Sequence, residues 1–470
     1  MSFIKRFSFF ALPPIFQGIL SLLILPLTTN ILGPREYGIF AFASSITGFG
    51  TIIASMGASY VTAAHYQTSD ISERKHIVMS ILFIGFLLSI VFSVIVLLLW
   101  PFFASHWEIF REISRRMLFI SLCSMVLGIP WIFSADVLTL EGKASLFAWV
   151  QIVQSIVLFL ATIGALYVFH LGIFSLFIGQ LIAAFVATLG SIKTVLNYKG
   201  GKVVFKWIKE ILKTGVSTIA PNIGESVYLI LERSLLILWA GLSQLGLYTH
   251  SQQYRTATFM GLNALARTIF PLSLSEAREA ESRFEKTRQA WNVGYLGVTV
   301  LGIFFATFGR DVISLLTHGK FSEAYVFVVL WMVLILVQSA GKPHTAFLLA
   351  SNLGKLYARM HVYALLLAGL SLFLFIPWFG VFGALASLFV QMIFFRILIQ
   401  IQVRKFRRIS SQDRWIIIGS VFILLAFGLS QLAKFDRIGN LALLIIMYAA
   451  LGYFGRHILR NLFARIRQSL

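Results

Sequence analysis

In the stretch VYLILERSLLILWAG, residues 227–241, Glu232 and Arg233 stand side by side in a run otherwise apolar enough for lipid. A charge at the middle of a bilayer costs about 2.5–3.5 kcal/mol on insertion scales, so such residues need a partner charge or a wet cavity to face. Glu225 lies two helical turns before Glu232 and shares its face, whereas Arg233 is rotated about 100° from its neighbour, so the adjacent pair cannot close on itself. The following run, GLYTHSQQYRTATFMGLNALARTIFP, places His250 and Tyr254 on one face, with Ser251, Arg255 and Thr258 beside them and Arg267 three turns below. Lys342 precedes Pro343 and His344 inside the apolar QSAGKPHTAF.

Taken together, Arg233, Arg255, Arg267 and Lys342 outnumber Glu225 and Glu232. A partly wet cavity with that surplus attracts an anion, and the forked donors of arginine suit phosphate oxygens. Each residue also has a plainer reading. Arg233 and the glutamates could pair with charges on other helices, Arg267 and Arg396 could snorkel to the membrane surface, and Lys342 could satisfy carbonyls freed by Pro343. The first half contributes neutral groups, Gln17, Thr28, Thr29 and Asn30, with Arg35 at a rim. His250, Tyr254, His344, Gln17 and Asn30 join Glu225 and Glu232 as candidate polar or ion-coupling groups.

No Gly-Lys pair is followed by Ser or Thr, no D-x-D or H-E-x-x-H occurs, and the single cysteine, Cys123, allows no disulfide within the chain. Neither an ATP-binding loop, a catalytic centre, a metal site nor a cofactor is expected. A net charge of +21 would suggest nucleic acid in a soluble protein, but here the basic residues fill short gaps between apolar runs and report orientation; the expected partners are membrane lipids, not nucleic acid.

The elements that must position these residues are membrane helices. Hydrophobic content is 58%, only 12% of residues are charged and mean hydropathy is +0.87, which defines an all-α polytopic membrane protein. A ruler of about 20 apolar residues predicts fourteen spans: 9–32, 38–63, 77–103, 117–138, 146–169, 171–192, 214–240, 246–271, 291–309, 324–350, 357–379, 380–402, 415–433 and 438–459. The N-terminal MSFIKRFSFFALPPIF has the basic start of a signal peptide, but its apolar part is too long and no A-x-A site closes it, so it reads as a retained first span. Placing both termini in the cytoplasm leaves most Lys and Arg on that side, with Arg111, Arg115 and Arg116 the main exceptions outside.

An offset of 208 residues superposes Pro13 on Pro221, Gly38 on Gly246 and Gly172 on Gly380. Six spans separate the copies, so the halves are parallel repeats about an axis along the membrane normal. The expected organisation is a six-helix bundle over 1–200, a second over 201–408, and two additional helices over 409–470.

ILPLTTNILGPREYGIFAFASSI resembles the opening of the Wzx-type oligosaccharide flippases of the multidrug/oligosaccharidyl-lipid/polysaccharide exporter superfamily, where an LGP-x-x-YG turn follows the first helix. ILKTGVSTIAPNIGESVYLILERSLLILWAGLSQLGLYTHSQQY is similar to that family's seventh and eighth helices, with Glu232-Arg233 in place of Asp-Arg, and RDVISLLTHGKFSEAYVFVVL resembles the join of its ninth and tenth. The likeness covers nearly the whole chain and implies two bundles in an inverted V, working by alternating access in the bacterial plasma (inner) membrane. It implies a substrate, an undecaprenyl-pyrophosphate-linked oligosaccharide repeat unit destined for O-antigen, lipopolysaccharide, capsule or exopolysaccharide, with H⁺ or Na⁺ as coupling ions and other polysaccharide-assembly membrane proteins as partners. Arg233 and Arg255 are the residues it carries over for the pyrophosphate; Asn30 stands where family members often have Arg. A lipid II flippase or cation-coupled drug exporter of the same superfamily remains an alternative reading, and a membrane-embedded polymerase or ligase a more distant one.

Overall fold

The computed structural model describes residues 3–55, 58–66, 68–218, 220–279, 284–339, 341–351, 353–406, 413–433 and 436–469; among the helical side chains outside that description are those of 3–11, 214–222, 267 and 457–469. The described residues are overwhelmingly helical and include no strand. The chain divides into two compact units, Met1–Gly246 and Leu247–Leu470.

The first unit holds α1 (Phe3–Ile31), α2 (Pro34–Ala54), α3 (Ala58–His65), α4 (Ile71–His106), α5 (Glu108–Arg111), α6 (Arg115–Leu140), α7 (Ala144–Tyr167), α8 (Phe174–Leu196), α9 (Phe205–Thr218), α10 (Ala220–Ala240) and the start of α11 (Leu242–Arg278). The second holds the rest of α11, then α12 (Glu285–Thr317), α13 (Ala324–Ser339), α14 (Lys342–Ala350), α15 (Gly354–Phe379), α16 (Val381–Arg404), α17 (Asp413–Ala433) and α18 (Arg437–Ser469). Helices dominate because hydrocarbon offers no partner for backbone N–H and C=O, and a helix satisfies both within itself. Their starts are set by local chemistry. Asp70 accepts from the Glu73 amide at 2.7 Å, Ser114 from the Met117 amide at 3.2 Å, and the Glu36 carboxylate from the Gly33 amide at 2.9 Å with Pro34 at the first helical position.

Eleven helices among the described residues are long and apolar enough to cross a bilayer. Helix α1 occupies the expected first span, its described apolar part being Phe16–Ile31, and α10 and α11 occupy the expected seventh and eighth without meeting that measure. The last two carry Glu225, Glu232, Arg233 and Arg255, and the charge that marks them as unusual also lowers their apolarity. The expected span 38–63 is not one helix: α2 stops at Ala54 and α3 is a separate short segment. Several helices outrun their apolar cores. α4 has 36 residues, about 54 Å at 1.5 Å per residue, well beyond the hydrocarbon thickness of about 30 Å.

In the first unit α7 and α8 form a hairpin, α8 packs on α6, and α10 packs on α2. Helix α9, which falls in the basic segment between the sixth and seventh expected spans, buries Trp207 and Ile211 against Ala58 and Val61 of α3, Ile77 and Ile81 of α4 and Phe133 of α6. Nearby, the Glu141 carboxylate accepts from Tyr66 at 3.0 Å and Tyr198 at 2.8 Å and pairs with Lys143 at 2.9 Å. In the second unit α13 is the inner helix, with Val328, Trp331, Met332 and Ile335 fully buried among α12, α16 and α17. The outward surface is apolar, as in Leu98, Leu160, Leu370 and Leu432, which suits contact with lipid.

The repeat has structural counterparts. Gly172 and Gly380, 208 residues apart, both adopt left-handed backbone, φ 54° and 53°, at the α7–α8 and α15–α16 turns. Pro34 and Leu242, the same distance apart, each open a helix. The starts of α2 and α11 meet reciprocally: a Cβ on Gly38 would strike the carbonyl of Leu242, and a Cβ on Gly246 the carbonyl of Pro34. Glycine at both crossings lets two helix backbones touch.

Candidate functional site

Glu232 and Arg233 are both buried in α10, 1% and 9% exposed. The Arg233 Nη1 donates to the main-chain carbonyl of Ala41 in α2, so this guanidinium ties α10 to its neighbour. Glu232 lies beside Tyr228, one turn earlier on the same face and 7% exposed. Glu225 is exposed. The expected wet setting for the adjacent pair is therefore largely closed around Arg233, while Glu225 remains accessible.

On α11 the polar face predicted from sequence is built into an aromatic cluster of the second unit. His250 is fully buried, its ring 4.5 Å from Phe321 and its Nε2 3.4 Å from the Tyr254 hydroxyl; Tyr254 packs edge-on against Phe305 at 5.6 Å. Both are packed inside and are not part of an open surface. Arg255 is half-buried with its guanidinium 4.6 Å from the centre of the Trp331 ring and 5.7 Å from that of Phe259. Trp331 is itself fixed, donating from Nε1 to Ser251 Oγ at 3.0 Å, which donates on to the Tyr248 carbonyl at 2.6 Å. A guanidinium carbon this close over an indole ring is held by cation–π attraction, and guanidinium N–H donors are groups that suit phosphate or carboxylate. The indole plate was not anticipated from sequence, although Phe259 at the fourth residue after Arg255 is a visible signal.

Lys342 opens α14 just after the break that ends α13. Close to Pro343, the described carbonyls of Ser339 and Gly341 have donors other than lysine. Tyr295 of α12 donates to the Ser339 carbonyl at 3.1 Å, and Thr345 donates to the Gly341 carbonyl from both its amide, 3.0 Å, and its hydroxyl, 3.1 Å. Lys342 is half-buried and makes no ion pair or side-chain hydrogen bond among the described residues. His344, 7% exposed, and Tyr295 both lie within electrostatic reach of Arg396, so this corner of the second unit is cationic. The side chain of Arg267 falls outside the described residues. Gln17 is exposed on α1, and Asn30, also exposed, reaches the Tyr167 hydroxyl of α7 at 3.5 Å. No group of metal-ligating residues occurs among the described residues.

The fold is that of a helical membrane protein with many spans. The fold is shared with a multidrug resistance MATE family transporter of the MOP superfamily in its inward-facing conformation, at TM-score 0.66 and 13% identity over 86% of this chain and 98% of that one. It is shared too with the lipid II flippase MurJ in an inward closed conformation, at TM-score 0.67 and 14% identity over 96% and 99%. A mutant of the MATE transporter VcmN from Vibrio cholerae matches at TM-score 0.55 and 15% identity over 85% and 97%. No curated protein matches the chain in sequence. The family described as "Polysaccharide biosynthesis protein" matches residues 4–276, more than half the chain, and the chain belongs to that family.

Proposed function

We propose that the protein is a flippase that carries a polyprenyl-pyrophosphate-linked oligosaccharide across the bacterial plasma membrane, for assembly of a surface polysaccharide such as O-antigen, lipopolysaccharide or capsule. The observation that carries this reading is Lys342: a half-buried ammonium that no described acid neutralises and that the helix break does not consume. A half-buried cation with no described counter-charge is stabilised when an anion visits it. Arg255, held over the Trp331 ring, supplies a second cation in the same unit. Family membership supports a role in polysaccharide assembly, and the MurJ fold, matched over 96% of the chain, supports a lipid-linked substrate over a drug.

In this scheme the segments 1–200 and 201–408 act as equivalent bundles, 409–470 is appended to them, and fourteen spans hold both termini in the cytoplasm. Lys342 and Arg255 engage the pyrophosphate while the isoprenoid tail stays in lipid. Arg267 adds positive charge, and the exposed Glu225 is the candidate for exchange of a coupling H⁺ or Na⁺. Arg233 holds α10 on α2 and acts through position, with Glu232 buried beside it and Gln17 and Asn30 offering neutral donors to sugar. Other polysaccharide-assembly proteins of the membrane would supply and take up the cargo.

The test is leaflet transfer of a labelled lipid-linked oligosaccharide in vesicles containing the purified protein. Wild type should move the lipid and Lys342→Gln should move it about tenfold or more slowly, the loss of one charge-assisted contact. Failure of the wild type overturns the function; an unimpaired Lys342→Gln overturns the site.

A further inference from the structure

Arg111, Arg115 and Arg116 are the densest exception to the expected charge distribution, and the structure separates them into two kinds. Arg111 is used internally, donating to the carbonyls of Ala104 at 2.9 Å and Ser105 at 3.2 Å. Arg35, near them, is gripped by both oxygens of Glu112, at 3.0 and 2.9 Å. Arg115 and Arg116 are exposed and make no ion pair or side-chain hydrogen bond among the described residues.

These two lie on the first turn of α6, adjacent like charges at the end of a helix where the backbone dipole already disfavours a cation. They border a groove of about 720 Å³ lined otherwise by Leu97 of α4 and Phe119 and Ile120 of α6. The apolar side continues along the bilayer-facing surface through the exposed Leu98 and Phe119. The groove thus has a doubly cationic mouth and a hydrocarbon wall, complementary to an amphiphile with an anionic phosphate head. Its volume is in the range of a site for one lipid headgroup.

We propose that this groove is a binding site for one anionic phospholipid of the bilayer, whose phosphate is held by Arg115 and Arg116 and whose chain lies on Leu97, Phe119 and Ile120. Bound phosphate offsets the two guanidiniums and the α6 dipole together, which explains how a pair of cations is tolerated at an end of the bundle where they are otherwise sparse. The site is independent of the transported substrate.

Native mass spectrometry of the delipidated full-length protein in detergent tests this, with phosphatidylglycerol, phosphatidylcholine, a polyprenyl diphosphate and inorganic phosphate as separate probes. One phosphatidylglycerol should bind in preference to phosphatidylcholine, and Arg115→Gln/Arg116→Gln should weaken it about tenfold or more. Inorganic phosphate should compete poorly, because it lacks the chain. Equal binding by wild type and the double variant overturns the site; tighter binding of the polyprenyl diphosphate, or full displacement by inorganic phosphate, overturns its assignment to phospholipid. Should the double variant lose its fold, Phe119→Asp, which keeps both arginines, must show the same loss of phosphatidylglycerol.

Discussion

The reciprocal crossing of α2 and α11 allows a quantitative test. At Gly38 a methyl group would overlap the Leu242 carbonyl oxygen, stand 2.9 Å from its carbon and 3.3 Å from the Gly246 nitrogen. At Gly246 it would overlap the Pro34 oxygen and stand 2.6 Å from the carbonyl carbon. All are backbone atoms, so no rotamer change relieves the clash and the helices must part. Overpacking of this kind costs about 1–3 kcal/mol, with rigid backbone contacts toward the upper end. Against that, replacing glycine by alanine in a helix gains about 1 kcal/mol of propensity. The net expectation for Gly38→Ala or Gly246→Ala is a loss of about 1–2 kcal/mol. Gly48 on the same α2 has nothing within 4 Å of its hypothetical methyl, so Gly48→Ala should keep the propensity gain and match or exceed wild-type stability. Once the first substitution has parted the helices, the second meets less resistance. The double variant should therefore cost less than the sum of the singles, by about 0.5 kcal/mol or more. Equilibrium unfolding in mixed detergent micelles, followed by circular dichroism, reads all four. If Gly38→Ala proves as stable as Gly48→Ala, or the pair adds strictly, the close crossing is not there.

Removing the Tyr295 hydroxyl with Tyr295→Phe leaves the Ser339 carbonyl unsatisfied at the α13–α14 break and should cost about 1–3 kcal/mol in the same unfolding assay. Arg255→Lys should slow leaflet transfer while preserving folding, because lysine keeps the charge but loses the forked guanidinium donors held over Trp331; unchanged transfer would remove Arg255 from the site. At the loop after α6, burial pushes the Glu141 carboxyl up, but hydrogen bonds from Lys143, Tyr198 and Tyr66 outweigh it and leave it below its ordinary value of 4.5. Its stabilising effect is accordingly present above pH 4.5 and lost as pH falls below that through the folded value; unfolding measured against pH should show this decline in wild type and a flatter profile in Glu141→Gln.

Sequence alone determined that this is a membrane protein of many helices, because hydrocarbon imposes its demand residue by residue and apolar runs record it. It also offered a 208-residue offset in glycines and prolines as the expected repeat, and it singled out α10, α11 and the segment around Lys342 as unusually polar. Tertiary structure decided what each of those groups meets. Nothing near Arg233 in sequence predicts the Ala41 carbonyl, nothing near Arg255 predicts Trp331, and the tyrosine that donates to the Ser339 carbonyl lies 44 residues before it. The split of the second expected span into α2 and α3, and the docking of α9 beside it, likewise depend on neighbours distant in the chain. Hydropathy and helical period are local properties; the partner of a buried polar group is fixed by which remote helix packs against it, and that is settled only when the whole bundle assembles.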